Sequence, residues 1–176
     1  MPKGDKTVAR SFRISQRAFD SLQKEASRKK ISINTLVNQL FLAYEEFDRF
    51  YERMGMAKIS TATFQRLLTA ASQEEVINAA RQAGEDTPRA IIISRDGLVS
   101  LTTIINFLKS MSEYANWFEY NEVDAGKKII TLMHALGPNG SLFLTHYVRA
   151  IFEGIGLSPK FSSSEHSVII DLGATP

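Results

Sequence analysis

There is no cysteine in this chain of 176 residues. Disulfides, thiolate zinc sites and thiol nucleophiles are therefore excluded. Tryptophan occurs once and histidine three times, so imidazole chemistry has few places to reside. No apolar run approaches the roughly 18–20 residues that cross a bilayer as a helix. The opening Met1-Pro-Lys-Gly-Asp-Lys6 lacks the apolar stretch of a signal peptide. A cytoplasmic protein with no membrane partner is the expectation. Internal repeats and low-complexity tails are also missing. What is present is a globular composition, 44% hydrophobic and 23% charged, enough for one large core or two small ones.

The net charge of +2 conceals an uneven distribution. Residues 1–31 hold nine lysines and arginines against three acids, a surplus of six; the remainder holds twelve against sixteen, a deficit of four. Such an end suits a polyanion, or else forms a solvated basic surface. Within it, Val8-Ala-Arg-Ser-Phe-Arg-Ile14 alternates. Phe12 and Ile14 fall on one face and Ser11 and Arg13 on the other, with Arg10 interrupting the apolar face. A strand this short is not stable alone. Ser15 can cap a helix immediately after it, so no hairpin partner follows, and a second copy of the chain is the simplest mate. Ala18, Phe19, Leu22 and Ala26 then recur at helical spacing, with Arg28, Lys29 and Lys30 at the end that favours cations. Ser32 or Asn34 caps a second helix, whose apolar face carries Leu36, Val37, Leu40 and Phe41.

The order strand, helix, tight turn, helix is carried by Arg10-Ser-Phe-Arg-Ile14, the helix to Lys30, and Ile31-Ser-Ile-Asn-Thr-Leu-Val-Asn-Gln-Leu40. It resembles the ribbon-helix-helix repressors of the CopG, Arc and MetJ kind. The resemblance covers the first quarter to third of the chain. It implies two strands paired antiparallel across a dimer axis, with the ribbon in the major groove of double-stranded DNA. It assigns base contacts to Ser11 and Arg13, Arg13 being suited to guanine. It assigns phosphate contacts to Ser32, Asn34 and Thr35, at a helix start that favours anions. Arg10, like Lys3 and Lys6, meets phosphate or stays solvated. Ala9 and Arg10 depart from the family pattern, which keeps a polar residue and an apolar one at those places.

Ile33, Val37, Leu40, Tyr44, Phe47, Tyr51 and Met54 repeat at heptad spacing up to a stop at Gly55. The first domain is therefore expected over 1–55. Residues 60–84 read as helical, with a capping box at Ser72 and Glu75 and an end at Gly84. They make 56–85 a helical connector, closed by the linker-like Glu85-Asp-Thr-Pro-Arg89. Residues 86–176 read as strand (90–94), helix (101–111), strand (117–123), strand (127–134), helix (144–155) and strand (167–172), with Gly137-Pro-Asn-Gly140 as a break. This is the β-α-β-β-α-β order of a ferredoxin-like domain in a chain of α+β class.

The overall plan is similar to that of the nickel-responsive repressors. Their His-and-Cys site has no counterpart here, and His134, His146 and His166 show no ligand spacing, so neither a metal nor a cofactor is expected. Trp117, Phe118 and Tyr120 read as core or interface, and Glu113, Glu119 and Glu122 as a solvated acidic face. No nucleophile–base signature appears, so no catalytic residue is assigned and an enzyme is not expected. The expectation is a sequence-specific DNA-binding regulator, a repressor, acting as a homodimer or tetramer. Its C-terminal domain either oligomerises or senses a small-molecule effector. The alternative is a plasmid partition or copy-control protein whose C-terminal domain only assembles.

Overall fold

Serine sets where most helices of this protein begin. Ser15, Ser32, Ser60, Ser72 and Ser100 each accept a hydrogen bond from the amide three residues on. Each thereby answers a donor that a helix start leaves without an intrahelical acceptor. The structure, a computed structural model, describes residues 8–124 and 126–173; Lys3 and Lys6 lie outside the described residues. The helices so started are α1 (Gln16–Lys29), α2 (Ile33–Ala43), α4 (Thr61–Ala70), α5 (Gln73–Asp96) and α6 (Leu101–Ser110). A π-helical turn, Tyr44–Asp48, follows α2 and leads into α3 (Arg49–Arg53). A second π turn, Met111–Ala115, follows α6. Then come β1 (Glu119–Asp124), β2 (Lys128–Met133), α7 (Gly137–Glu153), β3 (Lys160–Ser163) and β4 (Ser167–Asp171).

The chain divides into two compact units, the first ending at Tyr44 and the second beginning at Glu45. The expected boundaries after 55 and 85 do not coincide with this division. In the first unit, residues 8–15 carry no regular secondary structure. The turn between α1 and α2 is closed by Lys30, whose φ of 56° is left-handed. The Lys30 amide donates to the Ser27 carbonyl and the Ile31 amide to the Ala26 carbonyl, the paired bonds of a Schellman cap. Among the described residues of this unit, Ala26 and Leu36 alone are buried.

The second unit holds a large core. Its four strands form one antiparallel sheet in the order β1-β2-β4-β3. One face carries Ile130, Leu132, Val168 and Ile170, all 0% exposed. The helix α7 contacts this sheet at β3 and β4 and also runs along α5. The α+β class is as expected, but the ferredoxin-like order is not. The segment expected as its first strand is helical, an additional strand (β3) stands near the end, and the units are two hairpins joined through α7.

The error lies in α5. Gly84 does not end a helix, Glu85–Arg89 is not a linker, and Ala90–Ser94 is not a strand; all belong to one helix of 24 residues. Val76, Ala80, Gly84, Pro88, Ile91 and Ile92 form a single buried stripe along it. Pro88 supplies no amide to the carbonyl four residues back, yet burial of this stripe holds the helix through it. Gly84 is buried because α7 crosses there. A Cβ on Gly84 would fall against the Tyr147 carbonyl oxygen and 2.9 Å from the Ala150 Cβ. Gly137–Gly140 is likewise no break but the first turn of α7, with proline near its start. Asn139 in that turn donates from Nδ2 to the Leu68 carbonyl at 2.7 Å, holding the end of α4. At the other end of α5, Gly97 (φ 78°) caps the helix, while Arg95 pairs with Asp96 and donates to the buried Ser110 hydroxyl at 3.1 Å. Among the described residues, no single helix is long and apolar enough to cross a membrane.

Replacing a helical glycine by alanine normally stabilises a protein by about 0.5–1 kcal/mol. At Gly84 the sign should reverse, because the added carbon meets backbone rather than a movable side-chain tip. Gly84→Ala is expected to cost about 1–3 kcal/mol, the range for overpacking. Urea unfolding of wild type and variant measures it; a gain in stability would show that α5 and α7 do not approach this closely.

Candidate functional site

The residues expected to meet DNA fall in two sets. Ala9, Arg10, Ser11, Phe12, Arg13 and Ile14 lie in the extended segment and are all exposed. Arg10 turns its guanidinium to the Ala9 carbonyl at 3.2 Å. The side chains of Arg13 and Arg17 make no hydrogen bond or ion pair among the described residues, so no described acid neutralises them. Phe12 packs on Phe41 of α2 with ring centroids 6.0 Å apart. The second set, Ser32, Asn34 and Thr35, is brought together at the start of α2. The Ser32 hydroxyl accepts from the Thr35 amide at 3.0 Å and lies 2.7 Å from the Thr35 hydroxyl. The amides of Ile33 and Asn34 belong to the first turn and have no intrahelical acceptor. No hydrogen bond joins the two sets among the described residues.

The histidines occupy three different settings. His134 follows β2, where its amide donates to the His166 carbonyl at 2.9 Å. Its Nδ1 accepts from the Leu136 amide at 3.2 Å, so that nitrogen carries no proton. Its Nε2 lies 3.0 Å from the Ser141 hydroxyl, which donates onward to the Ser164 carbonyl. The direction of this chain follows: Nε2–H donates to Ser141, and Ser141 donates to backbone. Ser141 is 3% exposed and its proton is committed, so the pair is a structural tie between α7 and the β3–β4 turn rather than a nucleophile and base. Burial, and then the neighbouring His166, lower the His134 pKa. Burial also lowers that of His146, with Arg149 and Arg81 adding to it. Among the described residues, no three histidine or acidic side chains converge as a metal would require.

The expected acidic face is only partly solvated. Glu113 and Glu119 are exposed. Glu122 is bridged by Lys109 at 2.8 Å and Lys128 at 2.9 Å and accepts from the Tyr120 hydroxyl. Lys109 and Lys128 together hold its carboxyl down to about 2.

The feature that sequence reasoning missed is a cavity of about 400 Å³ inside the second unit. Both π turns line it, the first through Phe47 and Asp48 and the second through Met111, Tyr114 and Ala115. Tyr51 and Glu52 of α3, Phe64 of α4, Phe143 of α7 and Trp117 complete most of the wall, and Met56–Ile59 close one side. The rings are in mutual contact. Phe47 stacks on Tyr51 at 3.7 Å, and Trp117 lies 5.2 Å from Phe64 and 6.1 Å from Phe143. The two π turns are joined by the Tyr114 hydroxyl, which donates to Glu46 at 2.8 Å. Burial, reinforced by Glu46, pushes the Tyr114 pKa up. Trp117 was the one visible signal; read as core or interface, it borders the cavity, whereas Phe118 is buried.

No protein-family model matches the chain, and no curated protein is similar enough in sequence to count as a relative.

The His134 tie makes stability depend on pH with a definite sign. Its folded pKa is below the roughly 6.5 of an unfolded histidine. The neutral ring therefore stabilises the fold above about pH 6.5, and that contribution is lost as pH falls from there toward the folded value. Melting temperature is expected to drop between pH 7 and 5. In His134→Gln, whose amide can donate to Ser141 and accept from Leu136, that drop should be smaller. Equal slopes for the two proteins would remove His134 from the linkage.

Proposed function

We infer that residues 8–44 form a ribbon-helix-helix DNA-binding module and that the protein acts as a homodimer repressing transcription. The observation that carries this reading is the apolar surface of the first unit. Phe12 is 69% exposed, Ile14 53%, Leu40 50%, Phe41 54% and Tyr44 54%, against a buried set of Ala26 and Leu36. A unit of this size with so small a core does not support itself. Large apolar side chains grouped on one small unit mark an interface.

A second copy is the occupant that meets both needs of the segment. Paired antiparallel with its mate, residues 8–14 gain the ladder bonds they lack, and Phe12 and Ile14 turn inward onto the two α2 helices. The same pairing turns Ala9, Ser11 and Arg13 outward together. Arg13 and Arg17, which no described acid neutralises, then present cations toward phosphate and base edges together with Lys24 of α1. The first turn of α2 adds two unpaired amides and a helix dipole at Ser32, Asn34 and Thr35.

The full chain is expected to sediment as a dimer or a multiple of one, and to select a two-fold symmetric sequence from fragmented genomic DNA. Phe12→Asp should abolish association and DNA binding together. Arg13→Ala should keep the dimer and weaken the selected site by about 1–3 kcal/mol, the worth of one bidentate base contact, with a much smaller loss on random duplex. A monomeric wild type, or a chain with no preference for any sequence, would overturn the reading.

A further inference from the structure

We propose that the aromatic cavity of the second unit is a binding site for a small planar organic cation, such as a fused-ring aromatic amine. The proposal does not rest on the DNA-binding reading of residues 8–44.

The size is suitable. A volume of about 400 Å³ lies within the roughly 300–1,000 Å³ of small-molecule sites, and two or three fused rings fill it. The construction is also unusual for plain core. Among the described residues there are two π turns, and both end at this cavity. A π turn is rare and is found frequently at functional sites. A third observation is the Tyr51 hydroxyl. Tyr51 is 7% exposed, and its hydroxyl donates to the Met111 sulfur at 2.7 Å. A thioether is a weak acceptor, and a buried phenol in a finished core ordinarily holds a better one. The Tyr51 hydroxyl is thus a polar group at the wall whose hydrogen-bonding capacity is underused.

Charge selects the ligand class. Three charged side chains line the cavity: Asp48, Glu52 and Lys58. Lys58 pairs with Asp48 at 2.7 Å and so fastens the Met56–Ile59 segment across one side. Glu52 makes no ion pair among the described residues. The mouth therefore carries one net negative charge, and Glu46 stands behind Tyr114 with a second. Carboxylates and phosphates are disfavoured there. A cation is attracted by Glu52 and by any ring face it meets among the lining aromatics Tyr51, Phe64 and Trp117, the combination that aromatic cages use.

The test uses the full-length protein without DNA. Three probes of one shape, 2-naphthylmethylammonium, 2-naphthylmethanol and 2-naphthoate, are titrated by calorimetry, with melting temperature as a second readout. The ammonium is expected to bind at least about tenfold more tightly than the carboxylate, with the alcohol between them. Two exposed positions carry the variants, so neither threatens the core. Glu52→Gln should reduce the preference for the ammonium at least about threefold and leave the alcohol unchanged. Ala57→Phe, which fills the cavity from its side, should weaken all three about tenfold. The proposal is overturned if no probe binds saturably below about 1 mM, if the carboxylate binds as tightly as the ammonium, or if both variants bind like wild type.

Discussion

Gly84 presents a hydrogen atom where any other residue would drive a carbon into α7, and the second unit is arranged around that approach. Because α5 can come so close to the Tyr147 carbonyl and the Ala150 side chain, the stripe from Val76 to Ile92 is buried along its length. With α5 fixed, α7 is held between that helix and the strands β3 and β4. The hairpins that α7 connects can then pair β2 with β4 in the middle of the sheet. The cavity depends on the same arrangement, since Phe143 of α7 supplies part of its wall and Asn139 anchors α4, which supplies Phe64. Dispersion and burial add up in this unit because its helices are long and meet closely.

The first unit obeys the opposite constraint. Its secondary structure is locally well specified by two serine caps and a Schellman turn, but it has almost no interior. Local capping contributes about 1 kcal/mol at each site, which does not offset the chain entropy of ordering some thirty residues. Its apolar side chains are exposed on the single chain, so the stability of this unit has to be supplied from outside it. On the dimer reading proposed above, the folding of this unit is inseparable from its association.

Capping signals and short apolar runs made much of this legible in the sequence, whereas residues 8–14, where period-two alternation indicates a strand, carry no regular secondary structure in the single chain. The caps at Ser15, Ser32 and Ser72, the helix beginning at Leu101, and the strands β1, β2 and β4 all stand where the residues indicate. What could not be read locally was α5. Glu-Asp-Thr-Pro has the composition of a linker, and Ile91-Ile-Ile has the β-branched richness of a strand. The deciding information was the spacing of four residues through Val76, Ala80, Gly84 and Pro88, in which a glycine and a proline act as buried helical positions. Their burial comes from α7, some sixty residues away in sequence, and tertiary contact overrides propensity there. Losing that helix produced a false first strand and with it the ferredoxin-like order. The short β3, with a single half-buried Phe161 among exposed neighbours, offers too little pattern to be noticed. The cavity was illegible for a related reason. Its wall is gathered from both π turns, α3, α4 and α7, so no contiguous motif encodes it, and Trp117 alone hinted at it.

At Tyr44–Asp48 the heptad reading succeeds in outline and fails in detail. The helical run does continue beyond α2 to Arg53, and Phe47 and Tyr51 are buried as the spacing requires. The π turn at Tyr44–Asp48, however, takes up one more residue per hydrogen-bonded ring than an α turn. In an α-helix one residue corresponds to roughly 100° of rotation. The register that exposes Leu40 and Tyr44 is therefore not the register that buries Phe47 and Phe50. The turn resets the register within one helical run, so the apolar positions before and after it do not continue a single heptad stripe.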